Sequence, residues 1–297
     1  MPFRSRPRAR RKIQHGGRAG PILVGLGTRT PLFACWLGVF AVAVGVGLGG
    51  TSAAAAQTKC ALEPGRSVRH VKAGGLDRRV LVEVGPRAGV DSPLVIIWHG
   101  WGGRPEHMFR VIDPARDWPE AIVVAPEGEP RRFPGLGFSS HPGWQISEGE
   151  FDNRDLELFD RLMKEFLATG CVDPKRVFST GFSNGGFFSN LLGCTRSPAI
   201  RAIAPVSGGI RARGCKASVP AIVVHGSRDS VVPYEDGQKT FAHWVEQNGC
   251  DSRPEIVSKS CVAAENCGSE TIFCSFNGDH RWPRSLTPTI LEFLQRQ

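Results

Sequence analysis

From residue 78 to the end of the chain, short apolar runs alternate with longer amphipathic stretches. The runs at 78–84, 94–98, 121–125, 176–180, 202–206, 221–224 and 271–275 are β-branched or aliphatic, several without a polar break. Unbroken runs of this length predict strands covered on both faces. Between them, 155–168 sets Leu156, Phe159, Leu162, Met163 and Phe166 at helical spacing, with Asp152 or Asn153 placed to cap the start. Segments 236–247 and 286–294 repeat that pattern. The alternation predicts an α/β fold, a mainly parallel, doubly wound sheet with helices on both faces. No internal repeat and no Pro/Thr/Ser-rich linker divides it, so residues 57–297 are expected to form a single domain.

Charge changes the reading of the N-terminus. The chain carries 37 Lys/Arg and 28 Asp/Glu, a net +9 that invites a nucleic-acid reading. Residues 1–56 hold eight of the bases and no acid, which leaves about +1 for the rest and argues against nucleic acid. The basic start is followed by an uncharged run, 31–50, and then by Ala53-Ala54-Ala55-Ala56-Gln57. This is the layout of a signal peptide, 1–56, with cleavage after Ala56. The run is also long enough for an uncleaved anchor, but its glycines and Ala-rich end favour cleavage. Arg10-Arg11 leaves Sec and twin-arginine export both open. The mature protein is expected to be secreted, extracellular or periplasmic, and free of the membrane.

Eight cysteines remain beyond the leader, an even number that in an exported chain predicts disulfides. There is no C-x-x-C pair and no His within 250–274, so no metal or other cofactor is expected. Cys171 precedes the 176–180 strand and Cys194 ends the helix after it. Strand and helix run antiparallel, so a Cys171–Cys194 bridge is expected at one edge of the sheet.

The candidate chemistry starts at Gly181-Phe182-Ser183-Asn184-Gly185, which follows one strand and precedes a helix. This is the context of a nucleophile elbow, with flanking glycines that let the backbone turn sharply. A serine hydroxyl needs a base, and the base needs a carboxylate to orient it. In open α/β sheets such groups stand past the C-terminal ends of strands. The 221–224 strand leads to Asp229, with Glu235, Asp236 and Asp251 as alternatives. The last strand leads to His280 in Gly278-Asp279-His280-Arg281-Trp282. Strand 94–98 leads into His99-Gly100-Trp101-Gly102-Gly103, a glycine-rich turn suited to holding an oxyanion. The expected N–H donors are Asn184 and Trp101, with Gly102 as an alternative. Loop 128–149 offers Phe133, Phe138 and Trp144 as walls for a substrate, with Trp144 equally readable as a buried anchor of the loop, and Trp282 stands beside His280. Only residues 207–219 separate two strands where a large lid would be inserted, which suits esters borne on a polymer.

These pieces, together with Gly143-Trp144-Gln145, Cys171-Val172-Asp173-Pro174 and Val232-Pro233-Tyr234, carry a resemblance. Over roughly residues 60–297 the chain resembles the secreted polyhydroxybutyrate depolymerase and feruloyl esterase group of α/β-hydrolases. The resemblance implies a serine carboxylic ester hydrolase with Ser183 as nucleophile, Asp229 as acid and His280 as base. It implies ester substrates, hydroxycinnamoyl groups on plant cell-wall polysaccharide first, with polyhydroxyalkanoate or acetyl xylan esters as alternatives. The competing reading from another class is a catalytically silent hydrolase scaffold used for binding, which would be expected to lack a triad member.

Overall fold

The computed structural model describes residues 59–133, 139–251 and 253–297. The expected signal peptide, 1–56, and Phe138 lie outside the described residues. Ten strands form one sheet. Along the chain, β1 (Gly65–Ala73), β2 (Leu76–Val84), β3 (Ser92–Trp98) and β4 (Ile122–Pro126) come first. They are followed by β5 (Glu129–Arg131) and β6 (His141–Gly143), a separate two-stranded ribbon. Then come β7 (Val172–Phe182), β8 (Ala202–Val206), β9 (Ala221–Gly226), β10 (Pro254–Ile256), β11 (Cys261–Ala264) and β12 (Thr271–Phe276). The order across the sheet is β1-β2-β4-β3-β7-β8-β9-β12-β11-β10. Strands β4 to β12 of that order are parallel, and the pairs at both edges are antiparallel.

Side chains of β3 show why the central strands read as unbroken apolar runs. Leu94, Ile96 and Trp98 enter the core on one face of the sheet, and Val95 and Ile97 enter the core on the other. Successive residues of a strand point to opposite faces, so a strand covered on both must be apolar throughout. On the first face lie α3 (Arg154–Leu167), α4 (Asn184–Thr195) and α5 (Tyr234–Gln247), through Phe159, Phe188 and Trp244 among others. On the second lie α1 (Pro105–Met108), α2 (Pro114–Asp117) and α6 (Thr287–Gln295), with Met108, Trp118, Ile290 and Phe293 in its core.

The strands absent from the hydrophobic pattern are β1, β10 and β11 in the antiparallel margins of the sheet and the separate ribbon β5–β6. In β1 only Val71 and Ala73 are buried, so its outer half has no apolar face to advertise it. Its signal is the Gly74-Gly75 turn, both at positive φ, which closes the β1–β2 hairpin. The start of α3 also departs from expectation. Asn153 occupies the cap position in left-handed conformation without capping the helix. Gln145 Oε1 accepts from the N–H groups of Asp155 and Leu156 instead, at 3.2 Å each. Asn153 Oδ1 accepts from Gly149 N and Gln145 Nε2, which ties the loop before the helix to itself.

The Cys171–Cys194 expectation is wrong. Cys171 pairs with Cys60, Cys194 with Cys215, Cys250 with Cys267 and Cys261 with Cys274. The reason is which segment runs beside each cysteine. The register of β7 shifts between Val172, opposite Ser92, and Val177, opposite Leu94, so Cys171 lies beyond a bulge and beside the segment at Cys60, where Ala61 N donates to Thr169 O at 3.0 Å. Cys194 lies beside the 207–219 connection, where Lys216 N donates to the Cys194 carbonyl at 3.0 Å.

Candidate active site

Strand β7 turns into α4 through a single residue. Ser183 has φ 55° and ψ −119°, a conformation costly for a residue with a Cβ. Its N–H donates to Val206 O at 2.8 Å, and its carbonyl accepts from Phe187 N at 3.0 Å, so both sides of the turn are held. The flanking glycines are required by contact. A Cβ on Gly181 would overlap the Gly185 carbonyl, and one on Gly185 would overlap the Trp98 carbonyl. Strand β3, strand β7 and helix α4 thus meet backbone to backbone beneath the serine.

Three expected residues are brought together. His280, in the loop after β12, places Nε2 2.8 Å from Ser183 Oγ and Nδ1 2.7 Å from Asp229 Oδ2. Asp229, in the loop after β9, is 7% exposed, and its Oδ1 accepts from the N–H groups of Val231 (3.0 Å) and Val232 (2.9 Å). Those two amides fix the carboxylate and leave Oδ2 for the imidazole. Beneath this loop His225 is fully buried, with Nε2 3.0 Å from Val232 O. Burial holds His225 below the usual histidine range. Phe182 packs against the His280 ring with centroids 4.8 Å apart.

The glycine-rich turn after β3 stands over the serine. A Cβ on Gly100 would come within 3.3 Å of Ser183 Cβ. Gly102 is at φ 74° and its N–H donates to Pro142 O at 2.8 Å, so that alternative donor is spent on the loop itself. The Asn184 N–H is the first of helix α4, in the turn whose donors lack intrahelical acceptors. The Asn184 side chain is engaged elsewhere: Oδ1 accepts from Trp144 N at 2.7 Å and Nδ2 donates to Trp144 O at 2.9 Å. His99 braces the same turn. Gly128 N donates to its Nε2 at 2.9 Å, so the ring carries its hydrogen on Nδ1, which donates to Gly100 O at 2.7 Å. Burial pushes the pKa of this histidine down to about 4.

Of the side chains expected to wall the cleft, two stand elsewhere. Trp144 is 0% exposed, stacked on Phe188 and edge-on to Trp98, with Nε1 donating to His99 O at 2.8 Å. A loop tryptophan with its N–H satisfied inside the core anchors the glycine-rich turn after β3 and does not line the hollow at the serine. Trp282 donates to Thr287 Oγ1 at 2.9 Å and lines a hollow of about 310 Å³ on the far side of Trp101 and Phe182, with His107, Met108 and Val111. The serine opens into a different hollow of about 470 Å³. Its walls are Trp101, Phe133, Ile146, Phe182, Phe187, Val231 and Val232, with Arg211 at one side. Most of these went unnoticed as site residues, although Phe182, Phe187, Val231 and Val232 are within four residues of Ser183 or Asp229 in the chain. Proximity to the turn that carries a functional group was the available signal. Arg211 had none beyond its place in the short 207–219 connection.

No family model matches the chain. Among curated proteins it is 28% identical over 222 residues to probable feruloyl esterase C of Aspergillus flavus, covering 69% of this chain and 76% of that one. It is 28% identical over 232 residues to feruloyl esterase D of Neurospora crassa, covering 69% and 74%. Against feruloyl esterase C of Emericella nidulans it is 31% identical over 175 residues, covering 56% and 59%. Among solved structures, the acetyl xylan esterase from Aspergillus awamori superimposes with a TM-score of 0.55 at 16% identity, over 76% of this chain and 99% of that one. The Bacillus cereus carboxylesterase gives 0.54 at 15% identity, over 74% and 94%. The fold is that of an α/β-hydrolase, and the chain is a carboxylic ester hydrolase of that class. Within the class, its sequence resembles the feruloyl esterases.

Proposed function

We propose that the chain is an exported serine esterase that releases hydroxycinnamoyl groups from plant cell-wall polysaccharide. One observation carries the catalytic part: a single imidazole within hydrogen-bond reach of both a strained serine and a buried carboxylate. His280 Nε2 takes the Ser183 proton as Oγ attacks the ester carbonyl. Asp229, already bound by two amides, keeps the Nδ1–H tautomer and offsets the imidazolium charge. The N–H groups of Trp101 and Asn184 stabilise the tetrahedral oxyanion. His280 then donates its proton to the leaving sugar oxygen, giving an acyl-Ser183 intermediate. Water, deprotonated by His280, attacks that acyl group, and the acid leaves with Ser183 restored.

The acyl assignment rests on the feruloyl esterase relatives and on the aromatic wall of the serine hollow, Trp101, Phe133, Phe182 and Phe187. Export is supported by the four disulfides, which persist in oxidising compartments. Among the described residues no helix is long and apolar enough to cross a membrane. The test is a panel of methyl ferulate, acetyl xylan and poly-3-hydroxybutyrate with the processed enzyme. The proposal expects kcat/KM to be highest for ferulate. Preference for acetyl or hydroxybutyrate esters would overturn the acyl assignment, and turnover of none would overturn the enzyme reading.

A further inference from the structure

The serine hollow is aromatic and aliphatic except for His280, Asn184 and one permanent cation, Arg211. Arg211 leaves the sheet five residues after β8, the strand between the one that ends at Ser183 and the one that leads to Asp229. Its backbone has a rigid base. Gly208 lies so close to α4 that a Cβ would meet the Gly186 carbonyl carbon at 2.6 Å, and a Cβ on Gly209 would meet the Phe187 ring at 2.8 Å. Asn190 Nδ2 donates to Gly209 O at 3.0 Å. The segment that launches Arg211 is therefore pinned to the helix that carries the nucleophile.

The charge at this corner is incompletely balanced. Arg211 Nη2 is 3.4 Å from Asp236 Oδ2, and Lys239 Nζ is 3.6 Å from Asp236 Oδ1. Two cations share one carboxylate, which leaves a net positive charge. The guanidinium also lies 5.6 Å from the Phe187 ring centroid, over a wall of the hollow. Its side chain is 53% exposed, so it is reached from solvent and from the cleft alike. A planar fork of N–H donors on an apolar wall is suited to a carboxylate, which it binds through two parallel hydrogen bonds.

We propose that Arg211 forms a subsite for a carboxylate on the substrate, so that the enzyme favours acidic esters over neutral ones of the same shape. This rests on the ester-hydrolase reading of the serine. The carboxylate has two sources, the acyl group or an acidic sugar on the alcohol side, and paired probes separate them. Methyl 4-carboxycinnamate is compared with methyl cinnamate, and cinnamoyl glucuronate with cinnamoyl glucose. In one pair the wild-type kcat/KM is expected to favour the acidic member on the order of tenfold. Arg211→Gln is expected to remove most of that preference, Arg211→Lys to retain part of it, and 0.5 M NaCl to shrink it. A merely structural role would lower both members of a pair equally and leave the ratio where it was. An active wild type whose ratios do not respond to Arg211→Gln would overturn this inference alone. A wild type inert on all four esters would overturn the serine-esterase reading and the inference with it.

Discussion

Acid should loosen the enzyme through His99, which joins the glycine-rich turn after β3 to the loop at Gly128. In the folded protein this ring is buried and accepts a hydrogen bond on Nε2, which a proton would abolish. Its pKa is lowered from 6.5 to about 4, first by desolvation. The unfolded chain therefore binds a proton at this site near pH 6.5, while the folded chain resists until about pH 4. Between those values the unfolded state holds more protons, so stability is complete above about pH 6.5 and falls as pH drops toward 4. A displacement of this size corresponds to about 3 kcal/mol at most, since one pKa unit is worth about 1.4 kcal/mol. His225 is shifted in the same direction by burial and adds to the same loss. The assay must isolate His99, so the quantity to follow is the stability gap between wild type and His99→Gln in urea unfolding. Glutamine is uncharged throughout and keeps one acceptor and one donor. The gap should narrow by about 2–3 kcal/mol from pH 7 to pH 4. A gap independent of pH would refute the reasoning, whatever its size at pH 7.

Other outcomes follow from single contacts. Asp229→Asn keeps an acceptor for the Val231 and Val232 amides but loses the carboxylate that fixes the His280 tautomer, so kcat on a soluble ester should fall on the order of 10³–10⁴-fold with the fold intact. Trp144→Phe preserves the packing on Phe188 but strands the buried His99 carbonyl; it should cost about 1–3 kcal/mol in urea unfolding while KM for methyl ferulate stays within about twofold. Removing the Cys60–Cys171 bridge opens a loop with a sequence separation of 111, and the Cys60→Ala/Cys171→Ala variant should lose about 4 kcal/mol by the same assay.

How much of this was legible in the sequence depends on what each residue is surrounded by. The parallel strands were legible because burial on both faces forces an apolar run, as in residues 94–98. Strands β1, β10 and β11 were not, because strands in the antiparallel margins, covered on one side or neither, carry no such run; β10 is exposed along its length. The elbow was legible because Gly181 and Gly185 are dictated by local backbone contact. Asp229 and His280 stood out because each follows the C-terminal end of a strand on the same side of β7, a position from which a side chain can reach the serine. Trp144 reads both ways because its sequence neighbours are glycine and polar, while its true neighbours, Trp98 and Phe188, come from β3 and α4 and make it a buried anchor. The cysteine pairing failed because β7 bulges between Val172 and Val177, and Cys171 and Cys194 lie beside different segments, those that carry Cys60 and Cys215. Arg211 was invisible because nothing local distinguishes it from the other arginines; only its position beside the hollow does.

Acylation of Ser183, activated by His280, is the step on which the proposed catalysis depends. The most direct measurement is intact and peptide mass spectrometry of the enzyme quenched in acid during turnover of a slow cinnamoyl ester. A mass gain equal to one cinnamoyl group is expected, located on the peptide containing Ser183 and absent from Ser183→Ala. Turnover without any adduct, or an adduct that persists in Ser183→Ala, would contradict it.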